Sequence, residues 1–170
     1  MAVFSAFGEG LQLFASFVML LNFTRFGKMK GMGQIVAWSI RDESHHVESM
    51  IKLLHAVLDE MPHVWNDNFK ATLYQICRDM VRLEDRFIDL AFGMGPVEGL
   101  NPGEVKQYIR HIADRRLLQL GLKPNYGVKD NPLEWVDWIV GGVEHTNFFE
   151  NRSTEYAKGT LTGTWDEAFN

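Results

Sequence analysis

Arg41-Asp42-Glu43-Ser44-His45-His46 stands inside a long helical pattern and contains a Glu-x-x-His pair, Glu43 and His46. Residues i and i+3 share a helix face, so these two side chains can hold one metal ion together. A further carboxylate, Glu9, interrupts the apolar run that precedes this helix, between Phe7 and Leu11. Carboxylates amid apolar residues are rare unless paired or metal-bound. A Glu from one helix plus Glu-x-x-His from the next is half of the ligand set that four-helix bundles use for two metal ions. The competing reading of Glu43 and His46 alone is a solvated helix face. Glu9 tips the balance, because its flanks offer no surface explanation. Oxygen and imidazole donors without a soft thiolate suit iron or manganese.

The expected fold is therefore all-α: a partial ferritin-like helical bundle that carries half of a di-metal carboxylate site. The spacing predicts a first helix from about Ala2 to Phe26, and Gly27 with the Gly31–Gly33 region predicts a break. A second helix is expected from about Gln34 to Leu58, stopped by Pro62. A third should run from near Asn66 to near Phe92. A fourth begins at an Asn101 cap with Pro102 at the first helical position and Glu104 at the third, and ends at Gly121. Residues 123–131 are turn-rich, and Leu133 to Val140 is a short apolar segment. Past Phe149 the apolar content falls. The division expected is a helical domain over 1–149 and a mobile tail over 150–170.

The chain has 170 residues, enough for one domain with a sizeable core. A net charge of −5 argues against a nucleic-acid partner. The single cysteine, Cys77, excludes a disulfide framework, and a reducing cytoplasm fits best. Residues 2–23 are apolar enough to suggest a membrane span, yet they lack a basic leader and carry Glu9, Gln12 and Asn22. A mid-span carboxylate is expensive in lipid, so the expectation is the centre of a bundle and no membrane. His45 lies about 100° around the helix from His46 and is not expected to bind metal. Asp42 is open to two readings, a partner for a ligand imidazole or a surface ion pair with Arg41. Arg115-Arg116 and Glu84-Asp85 read as solvated faces or helix pairs.

Several separated stretches together resemble the small, radical-generating β subunit of class I ribonucleotide reductase. These are Phe7-Gly8-Glu9-Gly10-Leu11; Arg41-Asp42-Glu43-Ser44-His45-His46; Ile112-Ala113-Asp114-Arg115-Arg116-Leu117-Leu118 with Leu120-Gly121-Leu122; Asn131-Pro132 with Trp135; and Asn147-Phe148-Phe149-Glu150 with Glu155-Tyr156. The resemblance implies that Glu9, Glu43 and His46 are metal ligands of a di-iron or manganese/iron centre. It implies that Asp42 and Tyr156 carry the radical, and that Phe17 lies in an apolar wall near the radical site. It also implies that the tail Trp165-Asp166-Glu167-Ala168-Phe169 docks on the large subunit. No residue here matches the family's other Asp, other Glu-x-x-His, radical-bearing tyrosine or path tryptophan. Three readings follow. The chain pairs with a separate N-terminal half. Or two copies pair, as a homodimeric ferritin-like di-metal protein or oxidase. Or the chain is a docking fragment that needs no metal.

Overall fold

A computed structural model describes residues 3–141, and every regular element among them is helical. A π-helical segment, Val3–Glu9, leads through a turn into α1, Phe14–Arg25. Then come α2, Lys30–Glu60, a 3-10 turn at Pro62–Val64, α3, Asp67–Gly93, α4, Pro102–Gln119, and α5, Glu134–Gly141. The expected domain boundary at 149/150 and the tail with Tyr156 lie outside the described residues.

The first expected helix is thus two pieces rather than one. At Gly10 and Gln12 the backbone amides reach five residues back, to the carbonyls of Ser5 and Phe7, before α-type bonding resumes at α1. The break between α1 and α2 is also shorter than the glycine spacing predicts. Gly27 and Met29, with φ of 72° and 47°, turn the chain in the left-handed region, and α2 then starts at Lys30. Gly31 and Gly33 belong to that helix. Gly33 is there for close approach: a Cβ on it would sit 1.8 Å from Thr24 Oγ1 of α1.

The ends of α3 and α4 follow local chemistry. Asn66 Oδ1 accepts from the Phe69 amide, and Asn101 Oδ1 from the Gly103 amide. On α3, Leu73, Cys77, Val81 and Ile88 form a helical stripe that packs against Val105, Ile109 and Ile112 of α4. Arg110 grips Asp85 with two bonds of 2.9 and 2.6 Å, and Lys106 reaches Asp89 at 2.7 Å, so the two helices are also joined at the rim. The α1 core residues Phe14, Ala15, Val18 and Leu21 complete the interior.

Val3–Arg25 has the length and composition of a membrane span, and it packs instead on α2, α3 and α4. It touches all four other α-helices, as the central place its all-round apolarity predicts requires, but only part of it is buried. One flank is covered by Phe7, Leu11 and Val18, while Phe4, Leu13 and Phe23 are exposed. Ile35 and Leu53 of α2, and Leu83, Phe87, Leu90 and Met94 of α3, are exposed as well.

Candidate metal centre

Glu9 closes the π-helical segment, and Glu43 and His46 lie one turn apart on α2. The two elements pack against each other. One ligand atom from each of the three residues falls within 4.8 Å of the others. His46 Nδ1 is 3.6 Å from Glu43 Oε2, beyond hydrogen-bond reach. Glu43 Oε2 is itself buried and has no hydrogen-bond partner. A buried carboxylate oxygen without a partner is costly, and a cation set between Glu9, Glu43 and His46 would satisfy it. The donor set is two carboxylates and one imidazole, which suits a first-row divalent metal. These residues therefore fit a metal ion.

The site is shallow. The His46 side chain is 54% exposed and that of Glu43 24%, so these candidate ligands open outward from α2. Asp42 and His45 are exposed on the same helix, and neither is part of the ligand group. Asp42 stands one turn before His46.

Of the two pairs of charges expected on solvated faces or in helix pairs, Arg115 is exposed as expected, while Glu84 and Arg116 are placed otherwise. Glu84 is buried, and its Oε2 accepts the Ala15 amide at 3.2 Å. Burial pushes its carboxyl up to about 7, against the pull of that amide. Arg116 is buried, and its Nε donates to the Gly10 carbonyl at 2.9 Å. Burial lowers its guanidinium to about 10. Asp85 does form the helix pair expected of it, with Arg110. The signal for the buried pair was spacing. Glu84 sits on the α3 apolar stripe, three residues after Val81 and four before Ile88. Arg116 follows Ile112 by four.

Asp114 was legible only as part of a resemblance. It is buried and takes three backbone amides, from Asn125, Tyr126 and Val128, at 2.7–3.0 Å. The turn-rich segment after α4 is thereby tied down by one carboxylate.

A family profile described as "Ribonucleotide reductase, small chain" matches residues 1–132. The chain is 53% identical over 165 residues to the "Probable ribonucleoside-diphosphate reductase small subunit" of Invertebrate iridescent virus 3, covering 96% of this chain and 44% of that one. It is 36% identical over 148 residues to the ribonucleoside-diphosphate reductase subunit beta of Chlamydia pneumoniae, covering 87% and 42%. Among solved structures, the ribonucleotide reductase R2 subunit from Clostridium botulinum superposes with a TM-score of 0.73 at 25% identity, over 82% of this chain and 44% of that one. The chain spans less than half the length of these relatives. Helical architecture, ligand spacing and sequence agree: the chain belongs to the ribonucleotide reductase small-chain family.

Proposed function

We propose that these residues form the part of a ribonucleoside-diphosphate reductase small subunit that supplies Glu9, Glu43 and His46 to a di-metal centre. The convergence of those three side chains within 4.8 Å carries the reading. The complementary ligands come from a helical segment equivalent to the length of the relatives that this chain does not cover. That segment would also cover apolar side chains left in solvent on the same elements, Phe4, Leu13 and Ile35 among them. The alternative of two self-paired copies lacks comparable support, since the relatives are reductase small subunits.

Iron, or manganese with iron, supplies one-electron oxidation chemistry when bound. The chain's own part is to hold the ions with two carboxylates and one imidazole, and to keep that end of α1 dry with Phe7, Leu11 and Phe14, all buried. Asp42 and Tyr156 are assigned to radical transfer, Phe17 to the apolar wall, and the acidic tail to docking on the large subunit. Those assignments rest on the family resemblance of their sequence positions. A soluble, cytoplasmic setting accompanies them.

The test is to co-produce this chain with the uncovered segment of the iridescent virus small subunit, add the large subunit, and assay reduction of a ribonucleoside diphosphate. Reduction that requires the added segment and disappears in Glu43→Ala is the expected result. A pair that co-purifies with two metals per pair yet gives no reduction would sink the assignment.

A further inference from the structure

The helix break after Glu9 gives up several α-type backbone hydrogen bonds, and two of them leave groups that distant side chains meet. In a continuous α-helix the Phe14 amide would bond the Gly10 carbonyl, and the Ala15 amide the Leu11 carbonyl. Here the Phe14 amide instead reaches the Leu11 carbonyl at 3.1 Å. That leaves the Gly10 carbonyl and the Ala15 amide without helical partners, in a buried stretch where an unpaired backbone group is costly. Two distant side chains take them up. Arg116 Nε of α4 donates to the Gly10 carbonyl at 2.9 Å, and Glu84 Oε2 of α3 accepts from the Ala15 amide at 3.2 Å. The Arg116 guanidinium also lies 5.8 Å from the Phe14 ring centre, between the two contacts. Gly10 is required for the fit, because a Cβ there would stand 2.7 Å from Arg116 Nε and 2.6 Å from the Ala6 carbonyl.

We infer that Arg116 and Glu84 are positioning residues for the metal ligand Glu9. Together they clamp the break at Gly10–Ala15, and so aim the Glu9 carboxylate at Glu43 and His46. Without the clamp the segment can revert to continuous α-helix. Each added α-turn step swings a side chain by about 100°, enough to take Glu9 off the α2 face. The inference rests on the reading of Glu9 as a ligand.

The test uses the full chain with two measurements. Manganese(II) binding is followed by loss of the free-ion electron paramagnetic resonance signal, and local opening by amide hydrogen exchange. Arg116→Met and Glu84→Leu are expected to weaken manganese(II) binding at least tenfold. They should also speed exchange over residues 10–15 while α3 and α4 keep theirs. Glu84→Gln, which keeps an acceptor for the Ala15 amide, should restore both. Leu73→Ala, a core truncation elsewhere, should lower thermal stability without moving manganese affinity. The clamp is overturned if Arg116→Met leaves both affinity and exchange within twofold of the parent, or if Leu73→Ala weakens metal binding equally. If the parent chain takes up no manganese(II), the ligand reading fails for the chain alone. Exchange over 10–15 then decides the clamp by itself: faster in the variants supports it, unchanged rejects it. Should Arg116→Met fail to fold, the contrast between Glu84→Leu and Glu84→Gln gives the same decision.

Discussion

Two groups of charges, one on α2 beside the Glu9 segment and one on α3 and α4, are handled in opposite ways. On the α2 side, Glu43 and His46 open outward, and Glu43 Oε2 is buried without a hydrogen-bond partner, His46 Nδ1 standing 3.6 Å away. On the α3–α4 side, Glu84, Asp114 and Arg116 are buried, and each meets backbone groups at hydrogen-bond distance. A structural charge is satisfied by its own fold. A ligand charge is held short of satisfaction until something else arrives. The contrast separates architecture from site more cleanly than burial does, since the ligands are the more exposed group.

The sharpest way to break this comparison is to remove a satisfied charge. Asp114→Ala strands three amides around the 123–131 turn, and charge-assisted bonds of this kind cost about 3–5 kcal/mol to lose together. The expected result is a large fall in the urea midpoint. A loss below about 1 kcal/mol would show that the turn holds itself.

Glu84 should reveal itself through pH. Its carboxyl is raised by burial to about 7 in the folded chain, above the ordinary carboxyl range it regains on unfolding. A raised folded value means the protonated acid is the favoured native form. Its stabilising contribution is complete below the unfolded value and is lost as pH climbs through about 7. A shift of this size corresponds to roughly 3 kcal/mol at most. Wild-type stability should therefore decline between pH 5 and pH 8 relative to Glu84→Gln. Parallel pH profiles for the two proteins would contradict the burial argument.

The ligand side should respond the other way. Glu43→Ala removes an unsatisfied buried oxygen, so thermal stability should stay within about 1 kcal/mol or rise. Manganese(II) affinity should fall by more than about 100-fold, since losing a mere supporting partner of a ligand already costs about 10–100-fold. A strongly destabilised Glu43→Ala would place Glu43 with the structural charges. As a baseline, Lys28 and Glu98 form an exposed pair at 3.3 Å, and Lys28→Ala should change stability by less than about 0.5 kcal/mol.

The family alignment was readable from Arg41-Asp42-Glu43-Ser44-His45-His46 and Glu9, because ligand spacing on a helix is a local property. Helix caps at Asn66 and Asn101 were readable for the same reason: the acceptor and the amide it satisfies are two or three residues apart. The split of the first helix was not readable. Its cause lies about 70 and 106 residues away, in Glu84 and Arg116, whose bonds to Ala15 and Gly10 exist only once α3 and α4 have packed. The glycines at 31 and 33 likewise looked like a break; both lie within α2, and Gly33 proved to be the close contact for Thr24. By itself the sequence determined the helical class, the helix ends made by neighbours, and the choice of Glu9, Glu43 and His46 as the candidate ligands that the fold brings within 4.8 Å of one another. Only the tertiary structure decided where the helix breaks after Glu9, and which charges are buried and satisfied. Those outcomes depend on which distant backbone group a long side chain meets, and no local pattern encodes that meeting.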